Sequence, residues 1–246
     1  MKSLCTAVLF FLSLVGYGQD QLDSKEGPIT IHPVLHGSLV ISWQEMDIII
    51  DPYGGGTLYS DYNAGLVLIT DIHGDHYNPR TLNELDLNSA FIVAPEAVAE
   101  LLARSLQERT IMLGNGQDAE HNGIKISAIP MYNLPETDDS RHPKGRGNGY
   151  LVQIGENRIY ISGDTEDIPE MRGLKDIDVA FVCMNQPYTM DINQAADAVL
   201  EFAPKVVYPY HYRGGGGTYS DVEAFKKLVN DGNKKIEVRI RDWYSK

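Results

Sequence analysis

Short apolar runs separated by turn residues dominate the first part of the chain. Ile29 to Ile31, Leu39 to Ser42, Asp47 to Ile50 and Leu66 to Thr70 are rich in β-branched and aliphatic residues, and each reads as a strand. Phe91 to Ala94 is a further strand, and the chain from Pro95 to about Ser105 then reads as a helix with proline at its first position. Ile124 to Pro130 is a strand, followed by the long irregular stretch Met131 to Asn148. Tyr150 to Ile154 and Ile159 to Ser162 form a predicted hairpin across Gly155-Glu156-Asn157. Val179 to Cys183 is apolar throughout, as a strand buried on both faces would be.

The period changes in the last third. Ile192, Ala195, Ala196, Val199, Leu200 and Ala203 fall on one face of a helix that Asp191 can cap and Pro204 stops. Ser220 and Glu223 have the spacing of a capping box for a second helix, with Val222, Phe225, Leu228 and Val229 on its apolar face. Lys205 to Pro209 and Ile236 to Ile240 are the remaining strands. Both halves run from strands into helices, which two packed sheets with helices outside would satisfy.

Composition adds two constraints. The net charge of −13 over 246 residues argues against general binding to nucleic acid or anionic membrane. Met1 to Asp20 reads as lying outside the fold: Lys2, the apolar run Ala7 to Val15 and Gly16-Tyr17-Gly18 have the form of a secretory signal peptide cut after Gly18. That division makes residues 1–18 a leader and 19–246 one domain of a secreted or periplasmic protein with no membrane attachment once the leader is gone. An uncleaved anchor is the alternative. Cys183 is then the only cysteine, which excludes an internal disulfide, and its apolar surroundings predict a buried, inert thiol.

The chemistry is concentrated where strands end. Asp71, His73, Asp75 and His76 place four donors within Asp71-Ile72-His73-Gly74-Asp75-His76, directly after a strand. Imidazole and carboxylate together suit zinc, iron or manganese. Three more donors follow. Asp164 lies in Gly163-Asp164-Thr165, where the glycine permits a tight turn; His211 closes Tyr208-Pro209-Tyr210-His211; His142 lies in the long loop.

This order of motifs resembles the metallo-β-lactamase-fold hydrolases, within them most closely the branch containing the ascorbate-6-phosphate lactonase and its relatives. The resemblance runs from about Ile29 to the C-terminus and includes Ile50-Asp51-Pro52, Gly145 to Tyr150, Ile168-Pro169-Glu170-Met171 and Tyr188-Thr189-Met190-Asp191. It implies an α/β, four-layer αββα sandwich with a cleft for one or two divalent metals, most simply zinc. Carried over to this chain, Asp75, His76 and His211 hold one metal, Asp164 bridges both, and His73 binds the other. Asp75 is also the catalytic candidate, orienting water or taking its proton. The implied activity is hydrolysis of a small ester, lactone or phosphodiester by metal-activated water.

Two positions depart from the family pattern. Asp71 stands where the motif usually begins with histidine, and Met131-Tyr132-Asn133 stands where another histidine is usual. Both changes fall on the same metal's ligand set, which predicts one well-formed site and one altered site. Asn133 and His142 are the candidates to complete the altered one, with substrate contact as the other role for His142. The altered set also motivates a second reading, a metal- or ligand-binding protein without catalysis. His36 and Asp51 are candidates to support the ligands from behind, Asp51 by fixing the tautomer of a histidine. Arg141, Lys144 and Arg146 form a basic patch suited to an anionic group on a small-molecule substrate, and Arg213, before four glycines, is a candidate rim residue.

Overall fold

A computed structural model describes residues 20–137 and 139–244. The expected signal peptide lies outside the described residues. Among those described, the strands form two seven-stranded sheets, each in sequence order. The first contains β1 (Asp20–Leu22), β2 (Ile29–Leu35), β3 (Ser38–Trp43), β4 (Met46–Ile50), β5 (Ala64–Leu68), β6 (Phe91–Ala94) and β7 (Thr110–Met112). The second contains β8 (Asp118–His121), β9 (Ile124–Met131), β10 (Gly147–Ile154), β11 (Asn157–Ile161), β12 (Val179–Cys183), β13 (Val206–Tyr210) and β14 (Glu237–Val238).

Side-chain alternation along the strands builds the layers. Leu39, Ile41, Ile48, Ile50, Leu66 and Leu68 point into the core shared by the two sheets. Val40, Ile49 and Val67, on the opposite face of the same strands, pack with Leu82 of α1 (Pro79–Glu84) and Val98 of α2 (Glu96–Ala99). Sheet one is thus apolar on both faces, which explains its nearly continuous hydrophobic runs. The second sheet is covered on its outer face by α5 (Ile192–Phe202) and α6 (Val222–Gly232), the third and fourth helices, α3 (Arg104–Gln107) and α4 (Pro169–Arg172), being single turns. The result is the expected α/β sandwich of two mixed sheets between helices.

Strand direction puts the site at one end. β4, β5 and β6 are parallel, as are β11, β12 and β13, so the loops leaving each set open on one edge of its sheet. The β2–β3 turn joins that edge because Leu39 pairs with Ile50, the last residue of β4. The start of β10 and the end of β9 join it because Gly147 pairs with Met131 and Tyr150 with Ile161. Two hydrogen bonds stitch the sheets together there, Tyr150 Oη to the carbonyl of Ile69 at 2.8 Å and Asn148 N–H to that of Thr70 at 2.9 Å.

Several expectations change in detail. Asp20 is not outside the fold: it opens β1, and its carboxylate pairs with Arg241 at 2.7 Å and accepts from Tyr208 Oη at 2.7 Å. The helix predicted from Pro95 breaks into α2 and α3, with Pro95 as N-cap rather than first residue, because Ala103 is extended where the chain turns to bury Leu102. The predicted Ser220–Glu223 capping box does not form: Asp221 is the N-cap of α6 and accepts from Ala224 N–H, and alanine at that third position cannot return a side-chain bond. α5 carries the expected Asp191 cap, completed by Gln194 into a reciprocal pair. The long loop is shorter than read, since Gly147 and Asn148 already belong to β10. Cys183 is buried as expected, and burial pushes its thiol up to about 12.

Candidate metal centre

Loops leaving four strands meet at that edge. The segment after β5 supplies Asp71, His73, Asp75 and His76; the turn after β11 supplies Asp164; the residue after β13 is His211; the β9–β10 loop supplies His142. Asp71, His76, Asp164, His142 and His211 are all buried, unusual for five ionisable side chains unless they answer one another or a cation.

Their spacing is that of ligands. Donors of a tetrahedral cation held at about 2.1 Å stand about 3.4 Å apart. His76 Nε2 lies 3.4 Å from Asp164 Oδ2 and 3.1 Å from His211 Nε2. His211 Nε2 lies 3.4 Å from Asp164 Oδ1 and 3.5 Å from Asp75 Oδ2. A second group consists of Asp71, His73 and His142, with Asp71 Oδ2 2.6 Å from His73 Nδ1 and 3.9 Å from His142 Nε2. Asp164 Oδ2 sits 3.3 Å from His142 Nε2 and so stands between the two groups. Asp164 Oδ1, His73 Nδ1 and His142 Nε2 are buried without a hydrogen bond of acceptable geometry. Lone pairs aimed at a common point and left unanswered are what a divalent cation would satisfy, so the residues present fit one.

The histidines are oriented from behind. Asp51 accepts from Thr70 N–H at 2.7 Å and Thr70 Oγ1 at 2.6 Å, and holds His76 Nδ1 at 2.8 Å. The proton of His76 is thereby kept on Nδ1, and Nε2 is left facing Asp164. Asn133 does the same for His142. Its Oδ1 accepts from His142 N–H at 2.8 Å and from His142 Nδ1 at 3.1 Å, while its Nδ2 donates to the carbonyl of Tyr188 at 2.8 Å. Asn133 is therefore committed to orienting His142, and His142 is the member of this pair that faces the donor cluster.

The backbone is bent to make these approaches. His36, Asp51 and His211 adopt left-handed φ of 60°, 44° and 48°. Such values are uncommon outside glycine and cluster at functional sites. Gly163 takes φ 61°, the tight turn expected before Asp164. Gly37 is needed for proximity: a Cβ there would sit 2.8 Å from His211 Cδ2.

Electrostatics follow from the same contacts. Burial opposes charge on His76, but the carboxylates of Asp164 and Asp51 prevail and raise its pKa well above the ordinary value. Burial pushes His211 down to about 3, leaving it a neutral imidazole. Burial would raise Asp164, yet His211 and His76 hold it well below the carboxylate range. Asp75 is likewise lowered against burial by His36, His76 and His211. Asp71 is lowered against burial by His73, His76 and Arg146.

The basic patch is divided. Arg146 forms a two-pronged pair with Asp71, Nε to Oδ1 at 3.2 Å and Nη2 to Oδ2 at 3.1 Å, so it neutralises a donor rather than facing substrate. Lys144 is spent on Glu170, 3.1 Å away, and on Tyr132. Arg141 is exposed and lies over the Tyr188 ring at 4.4 Å. His36 stands behind Asp75, its Nε2 3.2 Å from Oδ2. Sequence reasoning missed Thr70, Arg146 as the partner of Asp71, Asn185, whose Nδ2 reaches Asp164 Oδ2 at 3.4 Å, and Tyr244 against His36. Asn185 and Thr70 at least lie at strand ends; Tyr244 carries no local signal.

Comparisons with known proteins identify relatives of the chain. The profile of the family described as "Beta-lactamase superfamily domain" matches residues 30–211. A metal-dependent hydrolase of Thermococcus onnurineus is 32% identical over 202 residues, covering 78% of this chain and 88% of that protein. A crystal structure from Parabacteroides distasonis, provisionally named a metal-dependent hydrolase, superposes with a TM-score of 0.79 at 36% identity over 93% of this chain and 100% of that one. A metallo hydrolase from Ignicoccus hospitalis shares the fold, with a TM-score of 0.74 at 23% identity over 88% of this chain and 96% of its own.

Proposed function

Because the chain belongs to the beta-lactamase superfamily and to its metal-dependent hydrolases, we propose that it hydrolyses a small ester, lactone or phosphodiester at the centre lined by Asp71, His73, Asp75, His76, His142, Asp164 and His211. The observation that carries this reading is the ligand spacing around Asp164, with two buried donor groups on either side of one carboxylate. Zinc suits these donors best, with manganese or iron as substitutes. A bound cation supplies Lewis acidity, lowering the pKa of water toward neutrality and polarising a carbonyl or phosphoryl oxygen.

In this reading His76, His211, Asp75 and Asp164 hold the first ion. Asp71, His73 and His142 share Asp164 for the second. Arg146 already compensates the charge of Asp71, so the second group is the weaker one. Asp75 has the further task of contacting water. Its side chain is 32% exposed, whereas those of Asp71 and Asp164 are 0% and 5%. Its depressed pKa makes it an acceptor that orients water more than a strong base.

Arg141 and Arg213 favour an anionic substrate. Neither has a carboxylate partner among the described residues; Arg141 rests on Tyr188 and Arg213 on Tyr244 at 5.0 Å. Cations held by aromatic faces at the rim of a metal centre suit a phosphate or carboxylate group. Residues 1–18 are proposed as an export signal, which would place the activity outside the cytoplasm.

The test is a panel of lactones, phosphodiesters and carboxylic esters assayed with zinc, manganese and iron. We expect turnover in one class and its loss in Asp75→Asn. Retained metal binding with no turnover for any metal and class would instead favour a non-catalytic binding protein. Zinc titration should resolve two unequal affinities; two equally tight ions would contradict the weaker second group.

Metal loading should also release a proton. His76 is raised above its ordinary value, so at neutral pH the ion-free protein holds a proton that an ion must displace. His211, at about 3, contributes none. Affinity is therefore expected to fall as pH drops below the raised pKa of His76, by about tenfold per unit for the one proton exchanged. Calorimetry in two buffers of different ionisation enthalpy measures the net proton released, and a value of zero would show that His76 is already neutral in the ion-free protein.

A further inference from the structure

His36, Asp75 and His211 lie at mutual distances that would also suit a metal. The hydrogen bonds around His36 argue otherwise. Its Nδ1 faces Tyr244 Oη at 3.0 Å, and its Nε2 faces Asp75 Oδ2 at 3.2 Å. Tyr244 Oη already accepts the backbone N–H of Arg213 at 3.0 Å. A phenol has one proton to give, and with Asp75 able only to accept at Nε2, the assignment that satisfies every partner directs it to His36 Nδ1. Nδ1 is thus the acceptor, and the ring proton resides on Nε2, directed at Asp75. His36 then has no lone pair to offer a cation on that side.

The ring is held firmly in this pose. His36 N–H donates to the carbonyl of Trp243 at 3.2 Å, and His36 accepts on its own carbonyl from His211 N–H at 3.2 Å. Trp243 is fully buried edge-on against Phe181 and Tyr210. Arg241, two residues before it, is tied to Asp20 of β1. The C-terminal segment is therefore clamped on one side by β1 and on the other by the core, and it presents Tyr244 to His36.

We propose that Tyr244 is a positioning residue for the hydrolytic centre. It donates to His36 Nδ1 and so pins the ring whose Nε2–H fixes the Asp75 carboxylate, one oxygen of which is shared between His36 and the His211 side of the ligand set. The proposal rests on the hydrolase reading for the task of Asp75, but not for the hydrogen-bond chain itself. The left-handed φ of 60° at His36 places this ring between Tyr244 and Asp75 in the β2–β3 turn.

The experiment is nitrogen NMR of the histidine rings in the zinc-loaded, full-length protein, with the His36 signals assigned by their loss in His36→Asn, a residue that tolerates left-handed backbone. The wild type should show His36 protonated on Nε2. Tyr244→Phe should leave the proton on Nε2, facing Asp75, but remove the hydrogen bond at Nδ1 and move the Nδ1 nitrogen signal toward that of an unbonded acceptor, while zinc per chain stays unchanged. With bis(p-nitrophenyl) phosphate and p-nitrophenyl acetate as probes, kcat should fall about tenfold and KM change by less than about twofold, the scale of lost outer ligand support. A wild-type His36 protonated on Nδ1, or an Nδ1 signal unaffected by Tyr244→Phe, overturns the proposal. Absence of turnover in the wild type would count against the hydrolase reading alone, since the tautomer is read without it.

Discussion

Asp164→Asn is expected to strip the protein of metal at both donor groups and to lower kcat/KM by about a thousandfold or more. Among the described residues, Asp164 is the one carboxylate within 3.4 Å of His76, His142 and His211 together. An amide of the same shape keeps the packing but removes the negative charge and converts one acceptor into a donor aimed at imidazole nitrogens. Both donor groups lose the one ligand they share. The transition-state stabilisation it supplies is several kcal/mol, and about 4 kcal/mol corresponds to the stated loss. Elemental analysis of the purified variant gives metal per chain, and a melting curve checks the fold. Wild-type metal content in Asp164→Asn would remove the bridging role.

Asp51→Asn is the second large effect, and it acts without touching a ligand lone pair. Asparagine suits the left-handed backbone of residue 51, so the turn should survive. What changes is the hydrogen-bond direction. One oxygen can still accept from Thr70 N–H, but the other position becomes an NH2 facing Thr70 Oγ1 and His76 Nδ1. A donor there turns His76 Nδ1 into an acceptor and drives the imidazole proton onto Nε2, the atom that faces Asp164 and His211. We expect zinc affinity to fall about 10- to 100-fold, as when the partner behind a metal-binding histidine is lost. Competition with a chelator of known affinity measures it; a change smaller than twofold would show that Asp51 serves the turn and not the tautomer.

These two cases show why the donors were legible and their supports were not. A ligand motif is local: Asp71 to His76 follows one strand, and four donors in one turn stand out against any background. Asp164 and His211 were legible for the same reason, each at the end of a recognisable strand. Asn133 was visible as an anomaly, but its role depended on where its two faces point. Only the fold shows Oδ1 turned to His142 and Nδ2 to Tyr188. Arg146 looked like a substrate contact because a basic cluster in an acidic protein has no apparent partner in sequence; its partner, Asp71, lies on the other sheet.

The sequence by itself determined the layer architecture, because strands buried on two faces must be apolar throughout and helices covering them must be apolar on one. It also supplied the candidate donors, since their chemistry is intrinsic to the side chains and their order resembles that of a known family. Tertiary structure decided which donors meet, which of them are neutralised, and which nitrogen of each histidine is free. Those properties belong to pairs remote in sequence: Asp51 with His76, Asn133 with His142, Tyr244 with His36. A hydrogen bond is decided by distances of a few tenths of an ångström and by the direction of a lone pair. No periodicity along the chain encodes either, and both appear only when two sheets and a C-terminal segment close on the same edge.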